Sequence, residues 1–252
     1  MKAIGVIPAR LGSTRLHEKV LKSIHGRPMI QHVWERVRQS RELQEVIVAC
    51  DDARVETCVL GFGGKALLTS KDHPNGSSRV AEVASRLEAD IFVNIQGDEP
   101  MIHPSGIDDL VRAMRTDASV QVATLAVSRS DREDYENPNV VKVIRNEKGD
   151  AIYFSRSPIP YYRDQNAGPV SYLKHLGIYG FRRNFLLQFV SWKTSSLEAA
   201  EKLEQLRILE KGFSIRVLET PYDSFSVDTA EDLRIVEEKM KNSREKKGAE
   251  VV

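Results

Sequence analysis

The sequence predicts an α/β fold with a mostly parallel sheet flanked by helices, and three observations carry that prediction. Short apolar runs recur along the first half of the chain and end at Gly, Pro or polar loops, as strands buried on both faces do. Between them lie stretches with apolar residues three and four apart, the period of an amphipathic helix. The chain has 252 residues, 41% of them hydrophobic and 29% charged, enough for one large domain with a sizeable core.

Taken in order, residues 2–7 read as the first strand, ended by Pro8 and a polar loop. Ile30, Val33, Trp34 and Val37 follow Pro28 at i, i+3, i+4 and i+7, which suits the first turns of a helix. A second strand over 45–49, a helix near 52–60, a third strand from 65 and a helix over 78–87 repeat the pattern. A fourth strand over 90–95, a helix near 104–115 and a fifth strand from 121 complete it. Strands alternating with helices at this spacing predict a parallel sheet covered on both faces.

Past about residue 138 the rhythm changes. Two apolar runs flank the turn Glu147-Lys148-Gly149-Asp150 with hairpin spacing. A loop rich in Pro, Tyr and Arg spans 156–172, followed by a strand over 177–181 and a helix over 196–211. The reading is a single domain over 1–242 with an antiparallel insertion at about 138–220. The last helix starts after Asp228 and Thr229, where Thr229 can cap and Glu231 and Asp232 suit the positive helix end. Residues 243–252 have no periodic apolar face and are expected to fray.

With 37 Lys+Arg against 36 Asp+Glu, a net charge of +1, the chain lacks the basic excess that drives nucleic-acid binding. Cys50 and Cys58 form no CxxC and have no second pair, so neither a disulfide framework nor a structural zinc site is expected. No run of apolar residues is long enough to span a membrane. The N-terminus lacks the apolar stretch and cleavage site of an export signal. The expectation is a soluble, cytoplasmic protein.

In open α/β sheets ligands sit beyond the carboxyl ends of the strands. The loop there after the first strand, PARLGSTRLHEK over 8–19, gathers Arg10, Arg15 and Lys19 around Gly12, Ser13 and Thr14. Such cations, hydroxyls and a glycine suit a polyphosphate; the charges alone would sooner mark a solvated loop, and it is their place just past the first strand that favours a ligand. Neither a Walker P-loop nor a dinucleotide fingerprint is present, and the string GFGGKA at 61–66 precedes a strand instead of following one. The fourth strand runs into Gln96-Gly97-Asp98-Glu99-Pro100, placing a carboxylate at the sheet edge. Asp98 there is either a turn former or a hard oxygen ligand for Mg²⁺ on a phosphorylated substrate. Asp228, before the last helix, is the second such candidate.

Together these strings resemble the 3-deoxy-manno-octulosonate (Kdo) cytidylyltransferase family. PARLGSTRL with Lys19, DHPNGSSR at 72–79, NIQGDEP at 94–100, YFSRSPIP at 153–160, KHLGIYGF at 174–181, LEQLR at 203–207 and VDTAEDL at 227–233 occur in the family's order and spacing. The resemblance implies a nucleotide-diphospho-sugar transferase fold (Rossmann-like, GT-A-type). It also implies a homodimeric, Mg²⁺-dependent enzyme that converts CTP and Kdo to CMP-Kdo and diphosphate for the lipopolysaccharide inner core. Carried over by position, Arg10, Ser13, Arg15 and Lys19 match the phosphate loop. Pro8, Ala9, Asp72, Gly76 and Ser77 match residues around the nucleoside. Asp98 and Asp228 match the metal ligands, and Lys19, Arg15 and the two aspartates the catalytic set. Arg79, Gln96, His175, Tyr179, Glu204 and Gln205 match the sugar-acid pocket, with Arg79 a candidate clamp for the acid group and His175 placed to orient the sugar or assist proton transfer.

Two positions depart from the pattern: Val20 replaces a proline after the lysine, and Ser78 stands near where a carboxylate is usual. Two other functions stay open on the residues alone. One is a cytidylyltransferase for another sugar acid, such as 8-amino-Kdo or a nonulosonate; the other is a nucleotide-sugar-binding protein without turnover.

Overall fold

The computed structural model of the chain describes residues 1–12, 16–164 and 168–249. Strand β1 (Ala3–Ala9) is buried along almost its whole length and lies between β4 (Glu45–Cys50) and β6 (Ile91–Asn94), parallel to both. Strand β5 (Lys65–Leu68) extends that edge, again parallel. The apolar side chains on both faces of β1 explain its central place, since each face needs a cover of helices. On one face pack α1 (Met29–Val37), α2 (Ala53–Gly61) and α4 (Pro104–Thr116) through residues such as Ile30, Val59 and Leu110. On the other pack α3 (Gly76–Arg86), α6 (Arg183–Val190) and α8 (Leu206–Glu210) through Val83, Phe189 and Leu206.

The antiparallel portion is woven into this sheet. β7 (Val122–Arg129) pairs with β10 (Tyr172–Arg182) and in parallel with β11 (Arg216–Glu219). The order is β11-β7-β10-β6-β1-β4-β5, with β8 (Lys142–Arg145) on β10 and β9 (Ala151–Ser155) on β8. β10 is antiparallel to both neighbours, so the segment expected as an addition to the core supplies one of its interior strands. On one edge β10 pairs first with β8, through Leu173 and Lys174, and then with β6, from Tyr179 to Arg182. Between these pairings the sheet forks, and a bulge between Leu176 and Tyr179 marks the place.

Four local differences from the sequence reading matter. A two-stranded ribbon, β2 (Ser23–Ile24) with β3 (Arg27–Pro28), precedes α1, and a short α5 (Arg132–Glu136) follows β7. The helix expected over 196–211 is broken into α7 (Ser196–Glu201) and α8, because Lys202 takes left-handed dihedrals with φ +54°. Burial of Leu203 and Leu206 outweighs the helical propensity of the connecting residues. The final helix, α9 (Ala230–Ala249), carries its helical backbone past residue 242; Lys, Glu and Arg there are good helix formers.

Candidate active site

Two adjoining clefts open at the carboxyl ends of the parallel strands. The first, about 360 Å³, lies over β1 and is lined by Pro8, Arg10, Lys19, Val20, His73, Pro74, Asn75, Gly76, Arg79, Gln96, Gly97, Asp98 and Asp228. Gly97 brings its walls together: a Cβ there would stand 2.7 Å from the Pro8 carbonyl oxygen, closer than side-chain carbons come. Asn75 caps α3 by accepting from the Ser78 amide at 2.9 Å, which leaves the positive end of that helix at the cleft.

At the junction of the clefts, the Lys19 ammonium donates to Asp98 Oδ2 at 2.5 Å and to Asp228 Oδ1 at 2.9 Å. Burial alone would lower the Lys19 pKa, but the two carboxylates outweigh it and hold the group above its ordinary value. Lys19 reaches this point from a 3₁₀ turn, Lys19–Leu21, entered through Glu18 in the left-handed region at φ 51°. Asp98 and Asp228 are joined through the backbone, where the Val227 amide donates to the Asp98 carbonyl at 2.9 Å. Thr229 and Asp232 cap α9 reciprocally, the Asp232 amide donating to Thr229 Oγ1 at 3.1 Å and the Thr229 amide to Asp232 Oδ2 at 2.8 Å. That fixes the approach of Asp228.

The second cleft, about 770 Å³, sits at the fork of the sheet, and its lining includes Gln96, Glu99, Arg156, Lys174, His175, Tyr179, Lys202, Glu204 and Gln205. Asp98 and Asp228 border it too, so the two carboxylates face both spaces while Lys19 lines the first. The Gln96 side chain spans the fork, donating to the Gly177 carbonyl at 2.9 Å. Burial lowers the His175 pKa to about 3 and pushes the Tyr179 phenol well above its ordinary value. Glu204 is raised by burial against the opposing effects of a hydrogen bond from Ser77 and the charge of Arg207. Glu99 rises to about 7, chiefly through burial, with Ser224 opposing and Asp98 reinforcing the shift. Glu204 Oε2 and Asn94 Oδ1 are buried without a hydrogen-bond partner among the described residues. Of the two, Glu204 lines the cleft, and an unpaired acceptor there suits a ligand that brings hydroxyl donors.

Most expected site residues line one cleft or the other, and four placements differ. Ser13 and Arg15 lie outside the described residues. Ala9 is buried at the end of β1, behind Pro8. Asp72 is exposed and turns to Ser70, while its neighbours His73 to Gly76 form the wall expected of it. Ser77 is buried, and its hydroxyl donates to Glu204 instead of facing the first cleft. Arg79 lies in the first cleft, apart from His175 and Glu204. Its guanidinium is held by Thr69 Oγ1 at 2.6 Å, the Ser70 carbonyl at 3.1 Å and Asp51 at 3.2 Å. Asp51 also accepts from the Leu11 amide at 3.0 Å, so Arg79 braces the first loop and does not sit as a clamp in the second cleft.

The cations that do line the second cleft are Arg156, Lys174 and Lys202, which residue-by-residue reading of the sequence passed over. Arg156 is pinned at its mouth, Nε donating to the Glu201 carbonyl at 2.7 Å and Nη1 to the Pro138 carbonyl at 2.9 Å. Its signal in the sequence is an arginine between two serines before a Pro-rich turn, within YFSRSPIP.

A family model described as cytidylyltransferase matches residues 4–218. The chain is 48% identical over 249 residues to the 3-deoxy-manno-octulosonate cytidylyltransferase of Geobacter metallireducens, covering 95% of this chain and 98% of the relative. It is 49% identical over 239 residues to that of Syntrophobacter fumaroxidans, covering 94% and 96%. A solved structure of CMP:2-keto-3-deoxy-manno-octonic acid synthetase complexed with CTP superposes with a TM-score of 0.91 at 46% identity, covering 96% of this chain and 100% of that one. The chain therefore belongs to the 3-deoxy-manno-octulosonate cytidylyltransferase family.

Proposed function

We propose that this chain joins CTP to Kdo, giving CMP-Kdo and diphosphate for the inner core of lipopolysaccharide. The observation that carries the reading is the Lys19 ammonium bonded to both Asp98 and Asp228 where the two clefts meet. In the reaction the anomeric hydroxyl oxygen of Kdo bonds to the α-phosphorus of CTP, the α–β phosphoanhydride breaks, and the hydroxyl proton is lost to solvent. Two anions must therefore meet while charge builds on the leaving diphosphate.

The first cleft suits the nucleotide. Arg10 and Lys19 offer cationic charge to the phosphates, with the amino end of α3 beside them. The second cleft suits the sugar acid, with Arg156 and Lys174 for its carboxylate and Gln96, His175, Glu204 and Gln205 for its hydroxyls. Gln96 and the two aspartates lie between, where the reacting atoms would meet.

Asp98 and Asp228 converge on one point with oxygen ligands only, and among the described residues no third side chain completes a cage. That donor set fits Mg²⁺, which keeps phosphate oxygens and water in its shell. Bound there, Mg²⁺ would supply charge stabilisation and polarise the attacking hydroxyl. The chain's own part is to hold the carboxylates together and to keep a cation, Lys19, beside the phosphates.

The homodimer belongs to the same proposal. It is supported by the open edge of β9, with exposed Ile152, and by exposed Tyr161 on the loop that follows. Light scattering of the purified protein tests it. No helix among the described residues is long and apolar enough to cross a membrane, in keeping with a proposed cytoplasmic site of action.

The deciding experiment supplies CTP, Mg²⁺ and Kdo, 8-amino-Kdo or a nonulosonate, and measures diphosphate release with mass spectrometry of the product. Preferred turnover of Kdo is expected. Preference for another acid replaces the substrate assignment, and no turnover with any of them removes the enzymatic one.

A further inference from the structure

β10 passes the second cleft at His175, and Thr124 of β7 lies against it. Thr124 is fully buried. Its hydroxyl oxygen stands 2.7 Å from the Ile178 carbonyl oxygen, 3.2 Å from that of Leu176 and 3.0 Å from His175 Nε2. A hydroxyl has one proton to give, and a carbonyl oxygen only accepts. The 2.7 Å approach to Ile178 therefore requires the Thr124 proton to lie between those two oxygens. What remains for His175 is a lone pair, so Nε2 must carry hydrogen. In a neutral imidazole the other nitrogen is then bare.

We propose that Thr124 is a positioning residue that locks His175 in the Nε2–H tautomer, presenting Nδ1 to the second cleft as an acceptor for a hydroxyl of the sugar acid. The inference rests on the assignment of that cleft to the sugar.

The surroundings hold the arrangement in place. In a regular strand, carbonyls two residues apart stand about 6.8 Å from each other along one edge. The bulge between Leu176 and Tyr179 draws two of them onto a single hydroxyl. The imidazole stands edge-on to Phe154 at 5.0 Å between ring centroids and is tilted on Tyr179 at 5.4 Å, and both rings are buried. A ring flip would displace them. No hydrogen bond to His175 Nδ1 is present among the described residues, and the residue lines the cleft. Burial keeps the ring neutral, and so weak a base is unsuited to taking the proton of the attacking hydroxyl. Of the two roles the sequence allowed, orientation and proton transfer, the geometry selects orientation.

The test combines nitrogen NMR with kinetics. In ¹⁵N-histidine-labelled wild-type protein, two-bond proton–nitrogen correlations read the tautomer of each of the six histidines. His175→Ala identifies its signals by their loss. His175 is expected to show a protonated Nε2 and a bare Nδ1. Thr124→Val keeps the shape and removes the hydroxyl. It should mix or reverse the tautomers and raise KM for Kdo roughly tenfold, the size of one neutral hydrogen bond, with KM for CTP unchanged. Thr124→Ser should restore both readings.

A protonated Nδ1 in the wild type overturns the proposal, and that measurement needs no variant to fold. It is equally overturned if Thr124→Val keeps the wild-type tautomer and Kdo kinetics while His175→Ala does not. Unchanged Kdo kinetics in His175→Ala would remove the sugar from this cleft, and the acceptor role with it; that failure is separate from a failure of the tautomer lock.

Discussion

Ser77 donates a hydrogen bond to Glu204, 127 positions further along the chain, and so ties the first turn of α3 to the connector that breaks the 196–211 helix. The bond spans the wall between the clefts, with one partner on the helix that borders the first and the other lining the second. Together with the charge of Arg207 it opposes, without cancelling, the effect of burial that raises the Glu204 pKa.

Ser77→Ala should therefore destabilise the protein by about 1–3 kcal/mol, the cost of leaving a buried acceptor unpaired. It should also raise KM for Kdo more than KM for CTP. Thermal unfolding and two-substrate kinetics check both parts; a shift confined to CTP would return Ser77 to the nucleotide side.

Asp98→Asn and Asp228→Asn should each reduce turnover by at least about a hundredfold and shift Mg²⁺ dependence to higher concentration. Each removes one of the two carboxylates that meet at Lys19, with little change in volume. Titration of activity against Mg²⁺ reads the effect. Wild-type Mg²⁺ dependence in either variant would dissociate that residue from the metal.

The two arginines should separate by substrate. Arg156→Ala is expected to raise KM for Kdo by up to about a hundredfold, the range of a charged hydrogen bond to a carboxylate, with KM for CTP little changed. Arg79→Met leaves the partly buried Asp51 without its charge partner. It should cost about 3 kcal/mol of stability and weaken CTP instead. Equal Kdo defects in the two would return Arg79 to the sugar side.

His175 makes the chain sensitive to acid. Its folded pKa of about 3 lies below the ordinary value of 6.5, so the unfolded chain takes up a proton that the folded one refuses. Stability from this group is complete above pH 6.5 and is lost as pH falls toward 3, by up to about 5 kcal/mol. His175→Gln should flatten that part of the profile of unfolding free energy against pH. An unchanged slope would mean that the ring titrates in the folded state.

The strands and the junction of charges are legible in the sequence for a definite reason. A strand buried on both faces needs an unbroken apolar run, and the end of such a run is where its loop enters the cleft. Lys19 and Asp98 follow β1 and β6, so their place follows from the strands alone. The division of α3 is not legible in this way. Its residues occur in one string, but successive side chains turn by about 100°, so Gly76 and Arg79 face the first cleft while Ser77 between them points to Glu204. Order along a motif does not give direction across a helix. Arg156 and Thr124 were missed for a related reason: Arg156 is held by Glu201 and Pro138, and Thr124 meets β10 across its antiparallel pairing with β7, distant contacts that local periodicity does not predict.

The interior place of β10 sets an order of events during synthesis. Among the described residues β7 pairs only with β10 and β11 in the sheet, and one edge of β6 stays open until β10 arrives. A nascent chain released as far as β9 therefore holds a finished β6-β1-β4-β5 half beside a seventh strand with no partner in that sheet. Unpaired edges of this kind invite association between chains. Joining β7 to the β6-β1-β4-β5 half, and with it the fork that makes the second cleft, waits for translation to pass residue 182, and β11 is added later still.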